Sequence, residues 1–310
     1  MVKVMYLSDL HEDLGKLERA AQISKEQGVD FVGLAGDLIG KDHTSREKNT
    51  DTLDDKLMKI EIGQTNQIKN IYQTYKIGSQ EDFDALDESI KEEVSSKQEQ
   101  LIQGNVAKVV KAVQDSYEKI KPALEKLKQS TKSNKIVGVL GNHDLKLGYK
   151  ALEDVVTFAE LRDEVNVAGF KIKGTNNTWE LPKIYSPEKT FVGRVLSQYF
   201  INYAEGNPDT SEEGVKEAND KTYKRLTKTG PADILLTHVV PDYHRGQVIK
   251  HGKATQDYAK IAKSTYGGHF HDGQVILKDG KVHATAGAGH AMVCEYDENN
   301  EVKAVEIYKL

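Results

Sequence analysis

Cysteine is almost absent from the sequence, and so are long hydrophobic runs. The single cysteine, Cys294, cannot form a disulfide within the chain, which favours a reducing compartment. No stretch approaches the roughly 20 apolar residues that a membrane-spanning helix needs, so we expect no membrane partner. Residues 1–9 are too short for the hydrophobic region of a secretory signal and are followed at once by acidic residues. Together these features predict a cytoplasmic protein.

An excess of positive charge is also lacking. The 310 residues include 43 basic and 48 acidic side chains, which gives a formal net charge of −5. Proteins that bind nucleic acid broadly carry a basic surface, so nucleic acid is not a favoured partner, although a local basic groove stays open. The chain is long enough to build the hydrophobic core of one large domain or of two ordinary ones.

The first forty residues predict a strand, a helix and a second strand. Residues 2–7 and 30–35 are apolar runs, and between them apolar residues recur at helical spacing. Two strands joined by a helix make a parallel pair and therefore indicate an α/β fold. Polar groups, Asp9 with His11 and then Gly36-Asp37, follow the two strands. Ligands of open α/β sheets bind beyond such strand ends.

The segment 45–130 differs from the rest of the chain. It contains no strand-like run and no histidine, and its apolar residues fall at spacings of three and four. We predict two or three amphipathic helices here, with breaks at Gly78 and Gly104. Three interpretations are open: a lid over a site, an arm through which the chain forms homo-oligomers, or a helical bundle packed on its own seam.

The α/β pattern resumes after residue 130. We therefore predict one α/β domain made of residues 1–44 and 131–310, interrupted by the insertion 45–130. Further strands are predicted at 135–140, 165–173 and 233–237, helices at 150–163, 187–204, 211–228 and 255–263, and two hairpins between 274 and 310.

Five polar blocks follow predicted strands, and together they hold carboxylates, an amide and imidazoles. They are Asp9-Leu10-His11, Gly36-Asp37, Gly141-Asn142-His143-Asp144, Thr237-His238 and Gly268-His269-Phe270-His271. Because parallel strands bring their carboxyl ends to one edge, we expect these side chains to lie together. Oxygen and imidazole ligands without thiolate suit Mn²⁺, Fe, Zn²⁺, Co²⁺ or Ni²⁺ rather than Ca²⁺. The ligands outnumber what one ion needs, which predicts two ions able to clamp an in-line displacement at phosphorus.

In this order the blocks DxH, GD, GNHD, H and GHxH resemble the calcineurin-like metallophosphoesterases, over the chain outside 45–130. The GNHD and GHxH blocks are the most specific part. The resemblance implies a four-layer α/β/β/α sandwich of two mixed sheets with a dinuclear metal centre. In this chain we expect the catalytic domain to be interrupted by the helical subdomain 45–130. One ion would take Asp9, His11 and His271, and the other Asn142, His238 and His269, with Asp37 bridging both.

The resemblance also implies catalytic roles. His143 would stabilise the phosphoryl group or protonate the leaving oxygen, Asp144 would orient His143, and a metal-bound hydroxide would be the nucleophile. Arg245, His251 and Gly252 follow the His238 block, and they are candidate contacts to the substrate phosphate.

The sequence departs from the family pattern in three places. The insertion separates Asp37 from Asn142 by more residues than is usual, and the run before Gly268 is poor in apolar residues for a buried strand. The serine/threonine protein phosphatase branch carries an arginine after its GD block and has GNHE. This chain has Gly40-Lys41 and Asp144 instead, so it does not fit that branch.

The predicted function is a hydrolase acting on a phosphomonoester or phosphodiester bond of a small phosphorylated substrate. Mn²⁺ is the ion expected to support its activity in an assay. Two alternatives stay open: a nuclease of the same superfamily, and a non-catalytic scaffold that uses the helical insertion to bind partners. The acidic balance weighs against the nuclease, and the complete ligand set weighs against the scaffold. The residues do not specify the natural substrate, the native metal or the oligomeric state.

Overall fold

The computed structural model of the chain describes residues 1–40, 52–141, 144–175, 191–199, 212–239, 261–269, 273–278 and 281–310. Several predicted site residues lie outside this part of the chain, namely Asn142, His143, Arg245, His251, Gly252 and His271. None of the described helices combines the length and the hydropathy that a membrane span requires.

Strands and helices alternate through most of the described chain. The strands are β1 (Val2–Leu7), β2 (Phe31–Ala35), β3 (Ile136–Val139), β4 (Val156–Phe158), β5 (Val165–Val167), β6 (Phe170–Thr175), β7 (Ala232–Val239), β8 (Ala262–Gly268), β9 (Gln274–Lys278), β10 (Lys281–Thr285), β11 (His290–Tyr296) and β12 (Val302–Lys309). The helices are α1 (Leu14–Gln27), α2 (Leu53–Thr74), α3 (Gln80–Asp84), α4 (Glu88–Gln129), α5 (Leu147–Leu152), α6 (Phe191–Tyr199) and α7 (Glu212–Thr227).

The described strands form two mixed sheets. The first has the order β12-β11-β1-β2-β3-β4, and the second has the order β5-β6-β7-β8-β10-β9. In the first sheet β1 to β4 run parallel to one another, β11 pairs antiparallel with β1, and β12 pairs antiparallel with β11. In the second sheet β6, β7, β8 and β10 are parallel, and β5 and β9 are antiparallel edge strands. Each sheet therefore offers several parallel carboxyl ends at one edge.

Three buried clusters show that helices and sheets are stacked in four layers. Successive side chains of a strand point to opposite faces of its sheet. Met5 of β1 accordingly joins a cluster with Leu17 of α1, whereas its neighbour Tyr6 joins a second cluster that contains residues of β7. Leu235 of β7 and Leu226 of α7 belong to a third cluster on the far face of the second sheet. The predicted α/β/β/α sandwich is confirmed.

The two sheets are joined by a buried group of tyrosines. The rings of Tyr6 and Tyr266 are stacked, with centroids 3.4 Å apart and planes inclined by 8°. The hydroxyl of Tyr296 lies 2.6 Å from that of Tyr6 and donates a 2.7 Å hydrogen bond to that of Tyr266. Burial together with these hydrogen bonds fixes β1 and β11 of the first sheet against β8 of the second.

Helices α2, α3 and α4 lie between β2 and β3 in the chain, as predicted for the helical insertion. The break expected at Gly104 is wrong, because α4 runs unbroken for 42 residues through Gly104 and Pro122. Both residues are exposed, so neither the missing side chain nor the missing N–H disturbs a packed surface. The second half of α4 packs into the same cluster as α1, through Val113 and Ile120 among others. The domain boundaries at 44 and 131 remain predictions.

Three further predicted elements differ from the structure. The strand expected over 165–173 is two antiparallel strands, β5 and β6, because positive φ angles at Ala168 and Gly169 turn the chain between them. The helix expected over 150–163 is replaced by α5, β4 and a short 3₁₀ helix at Ala159–Leu161. Val156 and Phe158 are buried where β4 pairs in parallel with β3, and this pairing outweighs the helical spacing of the same apolar residues. Of the helix expected over 255–263, residues 255–260 lie outside the described chain and Ala262 begins strand β8.

Candidate metal centre

The predicted ligands that the structure describes lie at the carboxyl ends of four parallel strands. Asp9 follows β1, Asp37 follows β2, His238 lies near the end of β7, and His269 follows β8. Asp9, His11 and Asp37 form one group whose ligand atoms all lie within 4.8 Å of one another. Asp37, His238 and His269 form a second such group. Asp37 thus belongs to both groups. The family resemblance divides the same five residues between two ions in the same way, with Asp37 shared.

The loops that carry these residues hold an uncommon backbone conformation. Non-glycine residues rarely adopt a positive φ angle, and where they do the strain is often associated with a functional site. Five of the nine described non-glycine residues with positive φ belong to these loops, namely Asp9, His11, Glu12, Asp37 and His269. The backbone N–H groups of Asp9 and His11 donate to the carbonyls of Gly36 and Asp37, at 3.1 and 3.0 Å. The first two loops therefore support each other in this strained form.

His238 is held by hydrogen bonds on both ring nitrogens. Its Nδ1 lies 2.7 Å from the carbonyl oxygen of Ala35, and its Nε2 lies 3.2 Å from Oδ2 of Asp37. Burial disfavours the charged imidazole, but the charge and hydrogen bond of Asp37, the charge of Asp9 and the carbonyl of Ala35 together outweigh burial and raise the pKa of His238 to about 9. The carbonyl of Ala35 fixes the ring so that Nε2 faces the shared carboxylate.

Close approach of the backbone at Gly268 positions His269 beside Asp9. The backbone N–H of His269 donates to both carboxylate oxygens of Asp9, at 3.1 Å each. A Cβ atom at position 268 would lie 2.8 Å from Oδ2 of Asp9 and 2.6 Å from Cβ of Ser8. Only glycine leaves room for this contact between the two sheets.

Asp144 is buried behind the shared carboxylate and binds backbone groups. Its carboxylate accepts hydrogen bonds from the N–H groups of Leu38 at 3.0 Å, Ile39 at 3.2 Å and Gly141 at 2.8 Å. Burial and, after it, the negative charge of Asp37 raise the pKa of Asp144 to about 7. Asp144 thus ties the loop after β3 to the loop after β2. Its predicted partnership with His143 remains a prediction, because His143 lies outside the described residues.

The donor set fits a divalent cation. Carboxylates and imidazoles with no thiolate are typical ligands of the ions that the sequence predicted. The negative charge of Asp37 raises the pKa of Asp144 and also that of His238, so these three ionisable groups are buried close together at this edge. A divalent cation would balance the carboxylates and would take the place of the proton between Asp37 and His238.

Sequence reasoning missed two buried carboxylates next to the predicted ligands. Glu12 follows His11 directly, and its position in a predicted ligand loop was the only available signal. Glu160 accepts a 2.7 Å hydrogen bond from the N–H of Leu140, just before the GNHD block. No sequence signal pointed to Glu160, because its contact joins residues that are 20 positions apart. The predicted substrate contacts Arg245, His251 and Gly252 lie outside the described residues and remain predictions.

Comparison with known proteins yields structural likeness only. No protein family model matches the chain, and no curated protein does so either. Among solved structures, the protein TT1561 of Thermus thermophilus aligns with 99% of this chain and 98% of its own, at 10% identity and a TM-score of 0.51. The phosphopantetheinyl hydrolase of Mycobacterium tuberculosis aligns with 93% of this chain and 89% of its own, at 13% identity and a TM-score of 0.45.

An archaeal phosphodiesterase aligns over the full length of both chains, at 9% identity and a TM-score of 0.39. At such identities a structural match speaks for the fold and not for the activity. The comparison therefore bears out the predicted fold, whereas membership of the calcineurin-like metallophosphoesterases stays a prediction.

Proposed function

We propose that the chain is a metal-dependent phosphoesterase that hydrolyses a phosphomonoester or phosphodiester bond at a centre of two divalent ions. One observation carries this proposal. Asp37 is shared by two three-residue groups, Asp9-His11-Asp37 and Asp37-His238-His269, each compact enough to hold an ion. A carboxylate shared between two adjacent ions is the arrangement that two-metal phosphoryl chemistry uses.

The residues of the chain have separate tasks in this proposal. Bound divalent ions would supply positive charge that polarises the phosphoryl group and lowers the pKa of water. Asp9, His11, Asp37, His238 and His269 would hold the ions, joined by Asn142 and His271 from the resemblance. His143 would donate a proton to the leaving oxygen, and Asp144 would set the position of the loop that carries it.

The test is turnover of p-nitrophenyl phosphate and bis-p-nitrophenyl phosphate by the full chain with Mn²⁺, Zn²⁺, Co²⁺ or Ni²⁺. We expect activity that Asp37→Ala and His143→Ala abolish. Asp163→Ala is a matched control, because Asp163 is a partly exposed aspartate whose side chain is paired at 2.6 Å with Lys228. Absence of turnover with every ion, or full activity in Asp37→Ala, would overturn the proposal.

The two substrates also separate a monoesterase from a diesterase. Hydrolysis of the diester with little action on the monoester would direct attention to cyclic nucleotides and small diesters. Cleavage of single-stranded DNA would identify the nuclease alternative. A folded protein that binds no divalent ion would identify the scaffold alternative, in which the fold is kept without the chemistry.

A further inference from the structure

The hydroxyl of Tyr117 forms hydrogen bonds with the backbone directly after the GNHD block. Tyr117 lies in α4 and is fully buried. Its hydroxyl accepts a hydrogen bond of 2.8 Å from the N–H of Leu145 and donates one of 3.1 Å to the carbonyl oxygen of the same residue. Burial raises the pKa of Tyr117 well above its ordinary value, so the hydroxyl keeps the proton that it donates.

The loop is shaped around this tyrosine. A Cβ atom at Gly148 would lie 2.6 Å from the hydroxyl oxygen of Tyr117, so the chain there passes as close to the ring as a glycine allows. Asp144, one residue before Leu145, binds the loop after β2. The hydroxyl of Tyr117 and the loop after β2 therefore both bind the same short segment, at Leu145 and at Asp144.

Glu12 makes a second connection between the insertion and the ligand loops. Its side chain is buried, and Oε1 accepts a 2.7 Å hydrogen bond from the N–H of Leu53, the first residue of α2. Oε2 lies 3.5 Å from Nζ of Lys119 in α4. Because Glu12 directly follows His11, the start of α2 and the second half of α4 are both tied to the loop that carries two predicted ligands.

We propose that helices α2 and α4 position the metal-binding loops, with Tyr117 and Glu12 as positioning residues. The inference rests on the proposed function and extends it: the insertion supports the metal centre, whether or not it also acts as a lid or an oligomerisation arm. Tyr117 supports residues 144–148, which directly follow the predicted residues Asn142 and His143 in the chain, whereas Glu12 supports the loop of Asp9 and His11. Residues that orient metal ligands from behind typically change metal affinity or activity by about 10- to 100-fold when they are replaced.

Tyr117→Phe is the central variant, because it removes the hydroxyl and keeps the buried ring. Ser116→Ala is its matched control. Ser116 is buried in the same helix, and its hydroxyl has no hydrogen-bond partner within the described part of the chain. Calorimetric titration with Mn²⁺ should show about 10-fold or greater weakening of one of two ions in Tyr117→Phe and wild-type affinities in Ser116→Ala. The kcat for p-nitrophenyl phosphate should fall while KM stays constant, because Tyr117 does not touch the substrate.

Hydrogen exchange of the metal-free protein gives a readout that does not depend on activity. The peptide covering residues 141–148 should exchange faster in Tyr117→Phe than in Ser116→Ala, with the rest of the chain unchanged. Glu12→Ala is a second variant, and it should weaken the binding of the other ion. If each variant weakens the binding of a different ion, the cause is misplacement of one loop. A general loss of stability would instead weaken the binding of both ions in each variant.

The outcomes also separate this inference from the proposed function. If the wild type binds two ions and turns over substrate, but Tyr117→Phe equals Ser116→Ala in affinity and exchange, the positioning role alone is overturned. If Tyr117→Phe and Glu12→Ala weaken both ions equally, the assignment of each residue to one loop is overturned. If the wild type binds no divalent ion, the proposed function fails and this inference fails with it.

Discussion

Glu160 makes the stability of this protein depend on pH in a direction that the structure determines. Its Oε1 accepts hydrogen bonds from the N–H of Leu140 at 2.7 Å and the hydroxyl of Tyr149 at 3.1 Å. Its Oε2 is buried and has no hydrogen-bond partner within the described residues. Burial raises the pKa of Glu160 from an ordinary 4.5 to about 8. The folded chain therefore holds a proton here that the unfolded chain releases.

The sign and size of the effect follow from this difference. Between pH 4.5 and about pH 8 the folded state binds more protons at Glu160 than the unfolded state, so the free energy of unfolding falls as pH rises. The contribution of Glu160 is complete below pH 4.5 and is lost once the pH has passed about 8. A difference of about 3.5 between the two pKa values corresponds to about 5 kcal/mol, as an upper value.

Glu160→Gln keeps the shape and cannot ionise. Its amide N–H₂ would lie where Oε2 has no partner, which costs about 1–3 kcal/mol at every pH. We therefore expect the variant to be less stable than the wild type near pH 5 and more stable near pH 9. Urea unfolding at a series of pH values measures the two curves and their crossing. Glu118→Gln, at an exposed position of α4, is the control and should run parallel to the wild type. Parallel curves for Glu160→Gln as well would refute the reasoning.

Two further predictions concern glycines. Gly268→Ala should lower the free energy of unfolding by about 1–3 kcal/mol, because its Cβ has no room beside Asp9; thermal melting measures this, and Mn²⁺ titration should show weaker binding. Unchanged melting and binding would contradict the close approach seen at this position. Gly104→Ala should instead raise the free energy of unfolding by about 0.5–1 kcal/mol, because a Cβ meets nothing within 4 Å in the middle of α4. A loss of stability in urea unfolding of this variant would show that position 104 is not an open helical surface.

The strands that carry the ligands were predictable because their signal is local. The runs that become β1, β2, β3 and β7 are short, apolar and closed by polar residues, and burial on both faces of the sheet selects that composition. Once parallel strands were expected, the meeting of their polar ends followed from topology. The α/β class and a common edge for Asp9 and Asp37 could therefore be anticipated from the residues, whereas the two-sheet sandwich that brings His238 beside them was implied by the family resemblance.

Strand β8 shows where composition misleads. Its run appeared too polar for a buried strand, yet it lies between β7 and β10 in the second sheet. The polar side chains are accommodated there: Ser264, for example, is buried and donates a 3.0 Å hydrogen bond to the carbonyl of Asp233. Such compensation depends on residues distant in sequence, so composition alone cannot reveal it.

The supporting residues were unpredictable for the same reason. Tyr117 and Leu145 are 28 positions apart, and Glu12 and Lys119 are 107 apart. In the sequence Tyr117 belongs to an apolar helical stripe, and that stripe predicts a buried ring without predicting what its hydroxyl binds. Gly104 pointed to a broken helix, but packing of the opposite face keeps α4 continuous.

The sharing of Asp37 between two ion sites is the central claim, and a count of bound Mn²⁺ per chain tests it directly. Calorimetric titration of the wild type should give two ions. His11→Ala should weaken the binding of one ion and leave the affinity for the other unchanged. Asp37→Ala should weaken the binding of both ions, because Asp37 belongs to both groups. The Asp163→Ala control should bind Mn²⁺ as the wild type does. A single ion in the wild type, or an Asp37→Ala variant that weakens only one of two, would contradict the account.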